Sequence, residues 1–189
     1  MERGLTLNKL KCEYSKRRLE FLGYVFGEDG MVPDPTKVQD ILDLEAPTSV
    51  TDVRSLLGMV NYCARFIKGY ATTTEPLRTL THNNHVWEWT DKHDNALAQL
   101  KHALVNAPVT AYFDLDKTTE LSVDASPVGQ GAILAQVNPT TGGTNVIAYA
   151  SRSLTNTEQR YSQTEREALA VVWACEHFHL YIYGKPTDI

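Results

Sequence analysis

The chain has 189 residues, of which 42% are hydrophobic and 22% are charged, and its formal net charge at pH 7 is −5. This composition allows a buried core and excludes wholesale disorder, collagen-like repeats and a disulfide scaffold, because only 3 residues are cysteine. No stretch approaches the roughly 20 apolar residues of a membrane span, and the first residues lack the apolar segment of a secretory signal.

The beginning of the chain is locally basic. Residues 1–18 contain six basic side chains and two acidic ones, although the whole chain is acidic. Such a patch can attract phosphate within a Debye length, and it can equally be an ordinary solvated surface. The cysteines form no Cys-x-x-Cys pair, which favours reduced thiols in an intracellular protein.

Residues 1–34 are predicted to be β structure. An apolar run at 19–26 precedes an acidic turn with glycine at 28–30, and a second apolar run follows at 31–32. An Asp-Gly turn between two apolar runs is typical of a β-hairpin, since glycine supplies the positive φ that such turns need. The prolines directly after it are expected to end the hairpin.

Residues 35–107 are predicted to be helical. Pro35 suits the first position of a helix that ends before Pro47, and Gly69 suits the end of a second helix at about 50–68. Three residues could cap this second helix: Thr48, Ser49 and Thr51. Its apolar residues fall on one face: Val53, Leu56, Leu57, Val60 and Ala64.

Two more helices are predicted in the same zone. A short one begins at the Glu-Pro pair 75–76, and a long one is capped by Thr90 or Asp91 and ends before Pro108. The residues expected to face the core are Leu77 and Leu80 in the short helix, and Ala96, Leu97, Leu100 and Leu104 in the long one.

Residues 108–189 change to mixed α/β character. Strands are predicted at 120–124, 132–137 and 146–150, with a turn of small residues at 128–131 between the first two. A long helix follows, capped by Ser162 or Thr164 with Glu165 or Glu167 completing a capping box. Its predicted buried face consists of Ala168, Leu169, Val172, Cys175 and Phe178. A break at 184–186 then precedes the start of a fourth strand at 187–189, so the fold class is α+β.

Two acidic residues are the first candidates for chemistry. Asp124 ends an apolar strand, where an unpaired acid is disfavoured, and Glu167 lies in the first turns of the long helix. If the two carboxylates meet, their oxygens could bind a divalent cation of the kind that assists phosphodiester cleavage. The alternative is an exposed acid at a strand end and a capping glutamate favoured by the helix dipole.

The second helix carries another candidate site. Arg54, Gly58 and Tyr62 are spaced by four residues and therefore share one face. Glycine costs about 1 kcal/mol relative to alanine inside a helix, so its lack of a side chain should serve a close approach. The approaching group could be a nucleic-acid backbone or another helix.

Several strings, taken in chain order, resemble one known family. They are FLGY at 21–24, GMVPDPTKV at 30–38, VRSLLGMVNYCARFI at 53–67, EPL at 75–77, WEWT at 87–90, DASPVGQGAIL at 124–134 and YSQTEREALA at 161–170. Together they resemble the Pol polyproteins of Gypsy-type LTR retrotransposons over nearly the whole chain. The resemblance implies the end of a reverse-transcriptase palm with a primer-grip hairpin at 1–34, a helical thumb and connection at 35–107, and a ribonuclease H-like α/β domain at 108–189, truncated at its C-terminus.

The resemblance also assigns roles to individual residues. It places four residues in the primer-grip hairpin: Phe21, Leu22, Gly23 and Tyr24. Arg54, Gly58 and Tyr62 would form the thumb face along the minor groove of a template–primer duplex. Asp124 and Glu167 would be the first two carboxylates of a ribonuclease H metal site, with Mg²⁺ as the expected cofactor.

The implied partners are nucleic acids and the rest of a polyprotein. The nucleic acids are an RNA–DNA hybrid and a template–primer duplex, and no membrane is involved. Polymerase fingers and palm would lie upstream, with the remainder of ribonuclease H downstream and an integrase as a further downstream candidate. The resemblance implies an intracellular location, in cytoplasmic virus-like particles.

The sequence departs from the family in two ways. No Tyr-x-Asp-Asp string occurs, so polymerisation is not expected of this chain itself. The family's third acid follows the Tyr-Gly pair by about eight positions, whereas Asp188 lies four after Gly184, so we expect the third and fourth carboxylates beyond Ile189. The alternative is a catalytically incomplete nucleic-acid-binding or connection module, or a degenerate copy without activity.

Overall fold

The computed structural model describes residues 8, 10, 12–82, 85–138 and 142–189, and its fold is mixed α+β, which confirms the predicted class. The strands are β1 (Leu19–Phe21), β2 (Tyr24–Phe26), β3 (Met31–Pro33), β4 (Thr119–Ala125), β5 (Gly129–Val137), β6 (Thr144–Ser153) and β7 (Thr187–Asp188). The α-helices are α1 (Pro35–Leu42), α2 (Val50–Asn61), α3 (Tyr70–Thr79), α4 (Asp91–Val105), α5 (Gln163–His177) and α6 (His179–Ile182). Two sheets form, with strand orders β1-β2-β3 and β6-β5-β4-β7.

The first sheet contains one more strand than the predicted hairpin. The apolar run 19–26 is not one strand, because Leu22 and Gly23 both have positive φ (48° and 72°) and turn the chain between β1 and β2. The predicted turn at 28–30 is confirmed, since Phe26 pairs with Met31 across it.

Helices α1 and α2 begin where their caps predict. The Asp34 carboxylate accepts from the Thr36 amide (2.9 Å) in front of α1, and Ser49 accepts from the Asp52 amide (3.2 Å) in front of α2. The predicted length of α2 is wrong, because it ends at Asn61 rather than near 68. A short 3-10 turn at Ala64–Phe66 follows, and this tighter path places Phe66 in the core.

The predicted start of α3 is also wrong. The helix begins at Tyr70, directly after Gly69, and Pro76 lies inside it rather than at its start. A proline there removes the amide that would bond to the Thr72 carbonyl. The helix tolerates that loss because one face is buried along its length, formed by Tyr70, Ala71, Thr74 and Leu77.

The first hydrophobic core joins the three-stranded sheet to α1–α4. Helix α4 has the predicted bounds and buries all four predicted residues: Ala96, Leu97, Leu100 and Leu104. The Lys101 ammonium donates to the Leu42 and Leu44 carbonyls (2.8 and 2.6 Å) and so fastens the end of α1 to α4. Met31 and Thr110 exchange two backbone hydrogen bonds, which tie the hairpin to the start of the second half.

The second sheet confirms the three predicted antiparallel strands and the start of a fourth. Strand β7 is parallel to β4, with Thr119 opposite Thr187 and Glu120 opposite Asp188. The predicted turn at 128–131 is wrong in its position, because β5 already begins at Gly129. The turn lies just before it, where the Ser126 amide donates to the Gly129 carbonyl (2.8 Å).

Helix α5 covers one face of this second sheet. Its predicted buried face is partly wrong, since Ala168 and Val172 are exposed, while Leu169 and Cys175 are only partly buried. The fully buried positions are Ala170, Ala174 and the predicted Phe178. Alanine side chains are small enough for the helix to lie close to β4, which is why they face inward.

Helix α3 packs on the opposite face of the sheet, against β5 and β6. The Ala71 amide donates to the Ser151 hydroxyl (3.0 Å), and the Thr72 and Ser126 hydroxyls are 3.2 Å apart. The helical part and the second sheet therefore share a seam along α3. Among the helices of the described residues, none combines the length and apolar character that a bilayer crossing requires.

Candidate active site and nucleic-acid interface

The two predicted acidic residues line one cavity. Asp124 near the end of β4 and Glu167 in the second turn of α5 are both exposed, and both line a cavity of about 390 Å³. The rest of the lining comes from the same strand and helix, so the cavity is the cleft between β4 and α5. The strand acid and the helix acid therefore border the same cavity.

Strand alternation explains why Asp124 is accessible. Leu121 and Ala125 are buried on one face of β4, whereas Asp124 is on the opposite face, because successive side chains of a strand alternate between its two faces. Strand β7 covers only the first two residues of β4, so the edge beside Asp124 is open in the described structure. Asp124 also lines a second cavity, of about 350 Å³, on the side where Lys68 approaches the sheet.

Glu165, rather than Glu167, completes the capping box of α5. The Glu165 carboxylate accepts from the Ser162 amide and hydroxyl (2.8 Å each), and the bond from the Ser162 amide is the main cause that lowers the Glu165 pKa. Glu167 has no such capping role. The interpretation of Glu167 as a capping residue is therefore wrong, and its carboxylate is available at the cleft.

Gln163 is a residue of this site that sequence reasoning missed. Its side-chain amide donates to Glu167 Oε1 (2.8 Å) and to the Ala125 carbonyl (3.3 Å), and its oxygen accepts from Arg166 (2.8 Å). Gln163 thus links the Glu167 carboxylate to the end of the strand that carries Asp124. The spacing of four residues between Gln163 and Glu167 was the available signal.

The donor chemistry of the cleft fits a hard divalent cation. Carboxylate oxygens are the ligands that Mg²⁺ prefers, and Asp124 and Glu167 supply such oxygens. Within the described residues, however, no group of three or more His, Cys, Asp or Glu side chains is arranged to hold a metal ion. The described part of the chain therefore offers two carboxylates at this cleft.

Asp188 is not the third member of this group. It lies opposite Glu120, four residues before Asp124 along β4, which is a separation of about 13 Å at 3.3 Å per residue. A strand that continued in this register would bring its fourth residue after Asp188 level with Asp124. This geometry supports the interpretation of Asp188 as a lead-in residue.

The predicted thumb face lies on α2 and on Tyr62, the residue that directly follows the helix. Arg54, Gly58 and Tyr62 line one groove of about 620 Å³, together with Gly23 and Met59. A Cβ atom added at Gly58 would have no described neighbour within 4 Å. Close approach of another helix in the described structure therefore does not explain this glycine, whereas close approach of an external partner remains available.

The predicted primer-grip residues contact this thumb face through Tyr62. Phe21 and Leu22 are 57% and 68% exposed at the tip of the first turn. Behind them, Tyr24 stacks on Tyr62 with ring centroids 4.9 Å apart and donates from its hydroxyl to the Tyr62 carbonyl (3.1 Å). Gly23 lies against the same ring, so the hairpin tip and α2 form one continuous surface.

We expect Gly23→Ala to destabilise the protein more than Gly69→Ala. Both glycines have positive φ, but an added Cβ would lie 2.6 Å from the Tyr62 ring at Gly23 and would meet no described atom within 4 Å at Gly69. The clash should add about 1–3 kcal/mol to the backbone strain that both variants share. Urea unfolding measures the difference, and equal losses would show that the Tyr62 ring yields freely.

Comparison with known proteins defines the class to which this fold and cleft correspond. Residues 89–189 match the family model described as the RNase H-like domain found in reverse transcriptase. The chain belongs to this family of reverse-transcriptase domains.

Its relatives are transposon polyproteins. The chain is 35% identical over 188 residues to the retrovirus-related Pol polyprotein from transposon 412 of Drosophila melanogaster, a match over 100% of the chain and 15% of that protein. It is 33% identical to the Pol polyprotein from transposon opus of the same fly, over 97% of the chain and 19% of that protein. It is 32% identical to the Tf2-3 polyprotein of Schizosaccharomyces pombe, over 95% of the chain and 13% of that protein.

These matches confirm the predicted resemblance to retrotransposon Pol polyproteins. The chain spans between 13% and 19% of the length of these relatives. Among solved structures, the foamy viral protease-reverse transcriptase in complex with RNA/DNA hybrid matches with a TM-score of 0.75 at 24% identity, over 91% of this chain and 23% of that one. A dRH form in complex with double-stranded DNA also has a TM-score of 0.75, at 24% identity, over 91% of this chain and 30% of that one. These likenesses confirm the fold.

Proposed function

We propose that the chain is the thumb and ribonuclease H part of a retrotransposon reverse transcriptase. In this proposal it binds template–primer duplex, and the parent polyprotein copies RNA into DNA and hydrolyses the RNA of RNA–DNA hybrids. The observation that carries the hydrolytic role is the shared cleft of Asp124 and Glu167 between β4 and α5. The absence of a Tyr-x-Asp-Asp string assigns polymer synthesis to another part of the polyprotein.

The cleft would hold Mg²⁺ through Asp124 and Glu167. When bound, the metal supplies Lewis-acid stabilisation of charge on the phosphodiester and lowers the pKa of bound water. The chain's own contribution is orientation: Gln163 holds the Glu167 carboxylate against the end of β4, at 2.8 Å from Glu167 and 3.3 Å from the Ala125 carbonyl. Asp124 and Glu167 are both exposed, so their carboxylates would be accessible to the scissile phosphate of a bound strand.

A third carboxylate would come from a continuation of β7. The parallel register of β4 and β7 would place it four residues after Asp188, level with Asp124. That position agrees with the spacing of about eight residues after the Tyr-Gly pair that the resemblance implies. The relatives are far longer than this chain, so the parent polyprotein would supply this strand and the remaining ligands.

Duplex binding would use the joined surface of α2 and the hairpin tip. Arg54 would contact the phosphate backbone, the bare backbone at Gly58 would admit the minor groove, and Phe21 and Leu22 would hold the primer end. Recognition by shape and backbone suits an enzyme that copies any sequence. The remaining partners would be the upstream fingers and palm, the rest of ribonuclease H and an integrase, in cytoplasmic particles.

The decisive experiment is cleavage of a labelled RNA–DNA hybrid with and without Mg²⁺. We expect little or no cleavage from the 189 residues alone and Mg²⁺-dependent cleavage from a version extended along the polyprotein through β7 and the segments after it. RNA in single-stranded form serves as the control substrate and should be spared. A folded, extended protein that binds the hybrid without cleaving it would exclude the nuclease.

That result would favour the second candidate, a nucleic-acid-binding module without catalysis. The observation in its favour is that the described residues offer only two carboxylates at the cleft and no group able to hold a metal by itself. If the extended protein neither binds nor cleaves hybrid, a degenerate copy without activity is the remaining interpretation.

A further inference from the structure

A second polar cavity lies where the helical part meets the second sheet. We call it the seam cavity; it has a volume of about 550 Å³. Arg54, Arg78 and His82 line it from the side of α2 and α3, and Ser153, Asn156 and their neighbours line it from the end of β6. None of these residues belongs to the carboxylate cleft.

The seam cavity has an excess of positive charge. Arg54 donates to the Thr81 carbonyl (3.2 Å) and Arg78 donates to the Thr74 hydroxyl (3.2 Å), but within the described residues neither guanidinium has a carboxylate within 4.0 Å. Among the described lining residues, Glu75 is the acid, and its carboxylate accepts from the Thr79 hydroxyl (3.1 Å). Two arginines and His82 therefore face one already bonded carboxylate, on a chain whose net charge is −5.

The opposite wall of the seam cavity offers hydrogen-bonding groups to an occupant. Ser153 lines this wall, but its hydroxyl oxygen is buried and not exposed to an occupant, so the polar group at the rim is Asn156. Asn156 is exposed, and Gln159, which also lines the cavity, donates from its side-chain amide to the Leu154 carbonyl (3.2 Å). Hydroxyls and amides beside guanidinium groups are the usual contacts to phosphate oxygens.

The seam cavity is continuous with the thumb face. Arg54 lines both the seam cavity and the groove that contains Gly58 and Tyr62. A duplex lying along α2 from Tyr62 towards Arg54 would therefore meet the seam cavity next. This continuity favours nucleic acid over a free anion as the occupant.

We propose that the seam cavity binds the phosphodiester backbone of the duplex that lies on the thumb face. The inference rests on the proposed function and extends it, because it adds a contact contributed jointly by α3 and by the loop after β6. Arg78 and Asn156 hold the backbone from opposite walls. The seam thereby sets how the helical part and the second sheet are oriented on one duplex.

The test measures binding of a fluorescently labelled RNA–DNA hybrid by anisotropy across a salt series. We expect Arg78→Gln to weaken binding about 5- to 10-fold and to reduce the slope of log affinity against log salt by about 0.9, the contribution of one phosphate contact. Asn156→Glu, an exposed change that adds negative charge at the rim, should weaken binding by a similar factor. Asn145→Glu, the same exposed change on β6 outside the cavity lining, should bind nearly as well as the unaltered chain.

A thumb-face variant separates this inference from the proposed function. Gly58→Glu places a charge where the duplex would approach closest, so it should weaken binding if the thumb face is used at all. If the unaltered chain does not bind the hybrid, or Gly58→Glu binds normally, the proposed function fails.

If Gly58→Glu weakens binding while Arg78→Gln and Asn156→Glu do not, only the seam inference is overturned. Thermal unfolding checks that Arg78→Gln is folded. If Arg78→Gln is not folded, the binding affinity of Asn156→Glu alone decides the test. Orthophosphate distinguishes a free-phosphate site. If it raises the unfolding temperature of the unaltered chain but not of the seam variants, and all of them bind the hybrid equally well, the cavity binds free phosphate and the inference is also overturned.

Discussion

Asp124→Asn is expected to abolish Mg²⁺-dependent cleavage of RNA–DNA hybrid in the version of the protein that cleaves it. Asparagine keeps the size of the side chain but removes the charge that a divalent cation requires of its ligand. Since a metal ion contributes several kcal/mol to stabilising a phosphodiester transition state, we expect a rate loss of about 10³-fold or more. Glu167→Gln should have the same kind of effect.

The same substitution should not harm the fold. Asp124 is exposed, and a neutral substitution at an exposed position usually changes stability little. Asp124→Asn is therefore expected to leave the unfolding temperature in metal-free buffer nearly unchanged. Added Mg²⁺ should stabilise the version of the protein that cleaves hybrid and not its Asp124→Asn variant, because a ligand stabilises only the state that binds it.

A matched control for the helix position is Glu176→Gln. Glu176 is exposed on the same helix as Glu167 but does not line the cleft, so its neutralisation should preserve both cleavage and the stabilisation by Mg²⁺. If Asp124→Asn or Glu167→Gln cleaves hybrid at the unaltered rate, these carboxylates are not the metal ligands. Loss of cleavage accompanied by a large fall in unfolding temperature would instead indicate a structural role.

Local patterns in the sequence predicted those elements whose signals are local. Helix α4 has a cap at Thr90 and a clear apolar period, and its bounds and buried residues agree with the prediction. The sequence predicted strand β4, which contains Asp124, and the capped start of α5 equally well. Asp124 and Glu167 could be singled out from these features, but their pairing at one site was implied only by the resemblance to retrotransposon Pol polyproteins.

Other features depend on contacts that no local pattern records. Leu22 adopts a positive φ that leucine rarely tolerates, so Gly23 alone indicated the turn between β1 and β2 in the sequence. Pro76 predicted the start of a helix, but α3 continues across Pro76 because one face of this helix is buried. The seam cavity combines residues near 54, 78 and 156, which only the packing of α3 on the second sheet brings together.

Glu158→Gln is expected to lower the free energy of unfolding by about 2 kcal/mol at pH 7, because it removes charge-assisted hydrogen bonds that are partly shielded from water. The Glu158 carboxylate accepts from both terminal nitrogens of Arg152 (3.0 and 2.9 Å) and from the Thr155 amide (2.7 Å). Arg152 also lies over the Trp173 ring of α5 at 5.9 Å. This network anchors the loop that leads from β6 into the helix that carries Glu167.

The pH dependence of this loss follows from the Glu158 pKa. The hydrogen bonds from Arg152, helped by the Thr155 amide, lower the pKa of Glu158 to about 2 in the folded protein, from 4.5. A carboxyl with a lowered folded pKa stabilises the protein fully above its unfolded value, and this stabilisation declines as pH falls towards the folded value. The unaltered protein should therefore lose more than half of the contribution by about pH 3, where its stability approaches that of Glu158→Gln.

Urea unfolding at pH 7 and near pH 3 measures this convergence. Glu88→Gln is the control, because Glu88 is exposed and forms no ion pair within the described residues, and it should match the unaltered protein at both pH values. If the difference in unfolding free energy between Glu158→Gln and the unaltered protein is the same at both pH values, the charge of Glu158 does not stabilise the loop. A difference that shrinks towards pH 3 would show that ionised Glu158 stabilises the loop that leads into α5.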